Sequence, residues 1–185
     1  MWYIQHLRQK YDHPNPKKSQ LSPHAHRPID CGANPKIATP EDTSKSLDTK
    51  GINKVQGIVG DLQYVARAVN NKLIVALSII GTQQATATEN TNTAITQLLD
   101  CVETYPDKVI LFRASGMLLA AYADPGFLNE TKARSRVGAR IFLTEDVAKP
   151  PLNRAILTIA KIIKPVMASA AKDELAALYL TSKKW

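Results

Sequence analysis

The stretch Met117-Leu-Leu-Ala-Ala-Tyr-Ala-Asp124 decides the fold, because it is an apolar run that ends in a carboxylate. Its length and composition predict a strand, with the tight turn Ser115-Gly116 before it. Glu174 lies fifty residues further on, in a segment predicted to be helical. A strand-end acid and a helix acid that project over one sheet could begin the carboxylate cage of a two-metal site. The same run therefore bears on both the fold and the chemistry.

The second part of the chain, residues 108–185, is expected to be an antiparallel meander with one helix laid across it. Four apolar segments have strand character: 109–112, 117–123, 137–144 and 155–163. Strands that follow one another without β-α-β alternation predict antiparallel pairing. A final helix begins at Pro165. Its expected buried face consists of Val166, Ala170, Leu175, Leu178 and Tyr179.

The middle part, residues 51–107, carries apolar side chains at helical spacing in three segments, 55–69, 72–84 and 94 to about 105. These segments predict a small helical bundle. Residues 1–50 form a proline-rich arm that lacks an apolar period, so we expect them to be largely disordered apart from a short helix or frayed turn at 3–11. The fold class is therefore α+β, with about three bundled helices followed by strands and one helix.

Charge and cysteine usage narrow the functional classes. The net charge is +8, and residues 108–185 hold thirteen Lys/Arg against six Asp/Glu, a local excess of +7. Such an excess suits a polyanionic partner held by its phosphates, although a solvated basic face explains it equally well. Apolar stretches are too short for a membrane span, and the start lacks the order of a signal peptide. Cys31 and Cys101 are predicted to be free thiols in a reducing, intracellular compartment, cytoplasmic or nuclear.

Three arginines are the candidates for phosphate contacts. Arg134, Arg136 and Arg140 alternate across a turn and a predicted strand, so they share one face. A charged outward face of an antiparallel sheet gives the same pattern.

The acids and the histidines also have ordinary structural explanations. Asp124-Pro-Gly126 is a common turn sequence, and Glu174 could simply lie on the solvent-exposed face of its helix. A zinc site could combine His13, His24, His26 and Cys31, but the spacing fits no established four-ligand pattern, which favours an unliganded linker. Cys101 is expected to be packed in its helix rather than nucleophilic.

Four motifs resemble copia-type retrotransposon polyproteins and occur in the family's order. V-Q-G-I-V-G-D-L-Q-Y-V-A-R-A-V at 55–69 is similar to the segment after the reverse transcriptase palm. Y-A-D-P-G-F at 122–127 resembles the first strand end of the ribonuclease H domain, and A-R-S-R-V-G-A-R-I-F-L at 133–143 its second strand. A-S-A-A-K-D-E-L-A-A-L at 168–178 resembles its helix. The chain departs from the family pattern at Pro125, Lys172 and Leu175.

The resemblance implies three regions: the arm at 1–50, a reverse transcriptase connection-like region at 51–107, and a truncated ribonuclease H-like domain at 108–185. It implies that Asp124 and Glu174 are catalytic metal ligands, which in the complete domain would hold Mg²⁺ and cleave the RNA strand of an RNA–DNA hybrid. No Asp-Asp pair for polymerase chemistry is present. Two carboxylates alone cannot hold both metal ions, so we also expect a fragment that is inactive as a nuclease and binds no Mg²⁺ stably.

Two further expectations concern partners. The strand at 117–123 would have an unpaired apolar edge, which predicts self-association. The alternative to the enzyme fragment is a non-catalytic basic module that binds nucleic acid or protein. A third reading is the product of a decayed element without a selected role.

Overall fold

The computed structural model describes residues 2–14, 22–23, 41–146, 148 and 153–184. The chain divides into two units, the first from the described residues of 1–28 and 42–109, the second from those of 29–41 and 110–185. The helices and strands, in chain order, are α1 (Trp2–Tyr11), α2 (Thr49–Ala68), α3 (Leu73–Gln83), α4 (Glu89–Thr104), β1 (Leu118–Gly126), β2 (Ser135–Thr144), β3 (Ala155–Ile163) and α5 (Ala170–Ser182). The predicted α+β class is confirmed.

The first unit is a helical bundle whose core lies between α2, α3 and α4. The three helices predicted from apolar spacing are confirmed. Their largest fully buried side chains are Val55, Ile58, Leu62, Leu73, Leu77, Ile80, Ile95 and Leu98. Cys101 is a free, buried thiol, as expected for a packed residue. Burial raises the pKa of the Cys101 thiol, which makes the reactive thiolate scarcer near neutral pH.

Helix α1 belongs to this bundle, and it confirms the short helix that the sequence predicted at 3–11. Leu7 is only 2% exposed and joins the core. The Tyr11 hydroxyl donates to Asp61 Oδ2 on α2 at 2.5 Å. Gly57 makes room for this contact, since a Cβ there would lie 2.8 Å from the Tyr11 hydroxyl oxygen. The proline-rich positions 15–21 and 24–40 lie outside the described residues.

The segment after residue 41 is also tied to the bundle, at the start of α4. Thr88 caps α4, and its hydroxyl donates to Asp42 Oδ2 at 2.5 Å. The other carboxylate oxygen of Asp42 accepts from Ser44 N at 2.9 Å and Asn90 Nδ2 at 2.8 Å. These hydrogen bonds favour the ionised carboxylate and lower the pKa of Asp42 to about 2.

The second unit is a three-stranded antiparallel sheet in the order β1-β2-β3, with α5 against one face. The predicted meander and the helix across it are confirmed. The run 109–112 is not a strand, so that prediction is wrong: Val109, Leu111 and Phe112 are all more than half exposed. Helix α5 begins at Ala170 rather than at Pro165, because the Ser169 side chain caps it.

Helix α5 buries a different face from the predicted one. Asp173, Ala177 and Thr181, spaced four residues apart, are its buried side chains. Leu175, Leu178 and Tyr179 are 68%, 61% and 56% exposed, and Val166 and Ala170 are also exposed. Small side chains let the helix approach the sheet closely, with Ala177 packed against Val137 and Ile163. Among the described residues, no helix is both long and apolar enough to cross a membrane.

The packing of α1 is tested by truncating Leu7. Leu7→Ala removes a fully buried side chain and should lower the free energy of unfolding of the bundle by about 2–5 kcal/mol. Urea denaturation followed by helical circular dichroism measures this change. Gln9→Ala, on the exposed side of the same helix, should shift the value by no more than about 0.5 kcal/mol. Equal effects of the two substitutions would show that α1 does not dock.

The hydrogen bonds to Asp42 predict that the stability of the fold depends on pH at low pH. The folded pKa of about 2 lies below the ordinary 3.8, so the ionised carboxylate stabilises the fold at higher pH. This contribution is lost as the pH falls from about 4 through about 2. Asp42→Asn should flatten the fall in the urea midpoint over that window. Asp107 is an exposed carboxylate with no hydrogen bond among the described residues. Asp107→Asn should therefore leave the fall in the urea midpoint at low pH unchanged.

Candidate nucleic-acid interface

The structure does not bring Asp124 and Glu174 together. Ala123 faces α5, since it packs with Ala177, and successive side chains of a strand point to opposite faces. Asp124 therefore lies on the sheet face that α5 does not cover. Glu174 is exposed on α5 itself. The expectation that these two acids project into one shared space is corrected by the alternation of β1.

The carboxylate that α5 does direct into the sheet is that of Asp173. It is 0% exposed, and Asp173 Oδ2 accepts a short hydrogen bond from the Ser135 hydroxyl at the start of β2. Ser135 Oγ also accepts from Leu128 N at 3.0 Å, so the hydroxyl links the loop before β2 to the helix. The second oxygen, Asp173 Oδ1, is buried without a hydrogen-bond partner among the described residues. This contact fastens α5 to the sheet.

Among the described residues, neither Asp124 nor Glu174 belongs to a group of three side chains that could hold a metal ion. The one described group of three or more His, Cys, Asp or Glu side chains with metal-binding spacing lies in the first unit, at His13, Asp100 and Glu103. Binding of Mg²⁺ by Asp124 and Glu174 stays a prediction. The alternative zinc ligands His24, His26 and Cys31 lie outside the described residues.

The three predicted phosphate-binding arginines have different environments. Arg136 is 7% exposed, and its Nε donates to Glu130 Oε1 at 2.5 Å in an ion pair. Arg134 precedes β2, and its Nε donates to the Thr131 carbonyl at 3.4 Å. Arg140 lies on the same sheet face as Arg136, opposite α5, where its guanidinium stacks 4.9 Å from the Phe142 ring centroid. Of the three, Arg140 lines a cavity.

Arg140 shares a cavity of about 320 Å³ with two arginines that the sequence did not single out. The cavity is lined by Leu111, Arg113, Arg140, Asn153 and Arg154. Arg113 and Arg154 are exposed, whereas Arg140 is half-buried. No carboxylate of the described residues forms an ion pair with any of the three. The cavity therefore concentrates three positive charges that the described part of the chain does not neutralise.

Asn153 fixes the walls of this cavity. Its side-chain oxygen accepts from the backbone N–H groups of Arg113 at 3.1 Å and Arg154 at 2.8 Å. Its amide nitrogen donates to the carbonyls of Arg113 at 3.1 Å and Leu143 at 3.0 Å. Arg140 Nη2 donates to the Asn153 carbonyl at 2.5 Å. One buried residue thus holds all three arginine positions.

The arginine cavity can bind an oxyanion. Arginine presents a rigid fork of N–H donors that matches phosphate oxygens, and it stays charged at any physiological pH. Arg140 Nε is buried and has no hydrogen-bond partner among the described residues. An arriving phosphate would instead meet the exposed guanidinium groups of Arg113 and Arg154 at the mouth of the cavity. The arrangement offers recognition of anions, and no carboxylate, histidine or cysteine is among the described residues that line it.

Sequence reasoning missed Arg113, Asn153 and Arg154 for a definable reason. Arg113 and Asn153 are forty positions apart, and only the folded loops bring them together. The one available signal was the run Asn153-Arg154 directly before β3, since a polar amide at a strand start often satisfies neighbouring backbone groups. Asp173 had a signal too, because it shares a four-residue spacing with the small residues Ala177 and Thr181.

The outer strand β1 provides a second surface in this unit. β1 is at the edge of the described sheet, as expected. A cavity of about 670 Å³ beside it is lined by apolar groups of the strand and of α5, including Leu119, Ala121, Leu178 and Tyr179. Unpaired strand edges with apolar surroundings favour pairing with another chain. Self-association through this edge stays a prediction.

Comparison with known proteins gives no match for this chain, whether to a family model, to a curated protein or to a solved structure.

The Ser135–Asp173 contact can be tested by removing its donor. Ser135→Ala leaves a buried carboxylate without its hydrogen bond and should lower the free energy of unfolding by about 1–3 kcal/mol. Asp173→Asn keeps the size and removes the charge, so it should have a smaller effect. Glu174→Gln, one position along the helix and exposed, should change the value by no more than about 0.5 kcal/mol. Thermal and urea unfolding measure all three, and a large effect at Glu174 would contradict the observed face of α5.

Proposed function

We propose that this protein binds nucleic acid through backbone phosphates at the cavity of Arg113, Arg140 and Arg154, as a basic module that performs no catalysis by itself. One observation carries the proposal: three guanidinium groups surround a single cavity without a described carboxylate to neutralise them. Elsewhere in the same unit, the charge of Arg136 is paired with Glu130. The contrast separates arginines used in folding from arginines available to a ligand.

Preorganisation supports binding at this cavity. A flexible surface arginine loses side-chain entropy when it engages a phosphate, and this loss weakens binding. Arg140 is already held by its bond to the Asn153 carbonyl and by stacking on Phe142. The backbone positions of Arg113 and Arg154 are held by the Asn153 side chain. Part of the ordering is therefore complete before a ligand arrives.

The charge distribution supports a polymeric anion over a small one. Residues 108–185 carry an excess of +7, which exceeds what one cavity with three arginines contributes. A nucleic acid spans many phosphates, so lysines elsewhere on this unit would add longer-range electrostatic attraction. Exposed lysines of this unit include Lys132, Lys161, Lys164 and Lys172.

The ancestry that fits this function is a copia-type retrotransposon polyprotein, on the motifs at 55–69, 122–127, 133–143 and 168–178. In that ancestry the ligand is an RNA–DNA hybrid, and the complete ribonuclease H-like domain uses Mg²⁺. Asp124 and Glu174 would be the family's first strand aspartate and helix glutamate. The order of three antiparallel strands followed by a helix is compatible with this origin. The opposite placement of the two acids favours binding over cleavage for the chain itself.

Binding is tested by fluorescence anisotropy with a labelled RNA–DNA hybrid at several salt concentrations. Three phosphate contacts predict a slope of about −2.7 for log K against log salt. Arg113→Gln and Arg154→Gln should each reduce the magnitude of this slope by about 0.9, since each removes one phosphate contact. Both side chains are exposed, so these variants should fold normally.

A matched control separates the cavity from diffuse charge. Lys161→Gln, Lys164→Gln and Lys172→Gln change the same charge at exposed positions of the same unit. Each should weaken binding less than an arginine variant does. A flat salt response, or equal effects of lysine and arginine variants, would refute binding at the cavity. Magnesium-dependent cleavage of the hybrid that is lost in both Asp124→Asn and Glu174→Gln would refute the non-catalytic assignment.

A further inference from the structure

A second cluster of charged groups lies in the helical bundle, between the end of α1 and the C-terminal part of α4. His13 Nε2 lies 2.7 Å from Asp100 Oδ1, and ligand atoms of His13, Asp100 and Glu103 all lie within 4.8 Å of one another. Asp100 and Glu103 are three residues apart, which places them on one face of α4. His13 follows directly after α1, where its backbone N–H donates to the Arg8 carbonyl at 3.0 Å. The segment that follows α1 and one face of α4 thus present an imidazole and two carboxylates to one small space.

The side chains of the cluster are largely buried. The side chains of His13, Asp100 and Glu103 are 5%, 20% and 18% exposed. Arg8 Nη1 donates to Glu103 Oε1 at 2.6 Å. The other oxygen, Glu103 Oε2, is buried and has no hydrogen-bond partner among the described residues. A buried carboxylate oxygen without a donor is costly, which makes it a ready ligand for a cation.

The charge of the cluster also favours a cation. With a neutral imidazole, two carboxylates and one guanidinium leave a net charge of −1 in a half-buried space. A divalent ion would replace the direct contact between His13 and Asp100 by two coordination bonds. It would also give Glu103 Oε2 the partner that it lacks. The Arg8 guanidinium would keep Glu103 oriented through its other oxygen, in the way that outer hydrogen bonds orient metal-binding carboxylates.

We propose that His13, Asp100 and Glu103 form a Zn²⁺ site that joins α1 to α4. One imidazole with two carboxylates is a donor set that suits Zn²⁺, whereas Mg²⁺ prefers oxygen ligands alone. Three protein ligands leave a fourth position for water or for a further side chain. Binding to the folded state would stabilise the docking of α1, because the unfolded chain does not hold the three ligands together.

The experiment is isothermal titration of the full chain with ZnCl2, with MgCl2 as the comparison ion. The other candidate zinc ligands are removed first, in a background variant that carries His24→Ala, His26→Ala and Cys31→Ala. This background should still bind one Zn²⁺ and should show no heat with Mg²⁺. Adding His13→Gln or Glu103→Gln should weaken Zn²⁺ binding by more than about tenfold.

Two further variants keep the test decisive if a ligand variant folds poorly. His6→Gln removes an exposed histidine of α1 and should leave Zn²⁺ affinity unchanged. Arg8→Gln leaves all three ligands in place and should retain Zn²⁺ binding. Substitution by Co²⁺ should give visible absorption bands in the background variant and none after His13→Gln. Absence of Zn²⁺ binding in the background variant, or its survival in His13→Gln, would overturn the site.

Discussion

The second unit depends on one close contact, the packing of the small side chains of α5 on the sheet. Ala177 lies against Val137 and Ile163. Asp173, four positions before Ala177 on the same face of α5, accepts a hydrogen bond from the Ser135 hydroxyl. This contact decides which face of the sheet is covered. It therefore directs Glu174, Leu175 and Leu178 outward, and it leaves Arg136, Arg140 and Asp124 on the opposite face. A helix rotated to bury its leucines would have removed Asp173 and Ala177 from the sheet and lost both of these contacts.

Apolar periodicity predicted most of the elements, because it reflects burial directly. The runs at 117–123, 137–144 and 155–163 correspond to β1, β2 and β3, although β1 begins at Leu118, and the three helices of the bundle follow their apolar spacing. The run 109–112 shows the limit of this signal. Val109-Ile-Leu-Phe112 has the composition of a strand, yet it joins no strand of the described sheet, and Val109, Leu111 and Phe112 are more than half exposed. Apolar composition shows that a segment would gain free energy from burial, but the rest of the fold determines whether a partner is there to bury it.

The candidate site was less predictable, because it depends on two facts that a linear pattern does not contain. One is the strand face: alternation places Asp124 and Ala123 on opposite sides, but only the position of α5 shows which side is covered. The other is charge pairing. Arg136 and Arg140 look equivalent in the sequence, but Glu130 neutralises Arg136 in an ion pair, whereas Arg140 stacks on Phe142 and donates to the Asn153 carbonyl. Alternation predicted their shared face correctly and could not predict their separate roles.

Buried polar groups show how the two units handle ionic side chains. In the bundle, an imidazole, two carboxylates and a guanidinium lie together, so negative charge exceeds positive. In the second unit, three guanidinium groups surround Asn153 and no described carboxylate pairs with them. Asn153 is suited to this position because an amide satisfies four backbone groups without adding charge. An aspartate there would lack the two donors and would neutralise the arginines, so a neutral amide preserves both the fold and the positive potential. Asn153 thus does two things at once: it satisfies the backbone groups of the loops, and it leaves the arginine charges free to attract an anion.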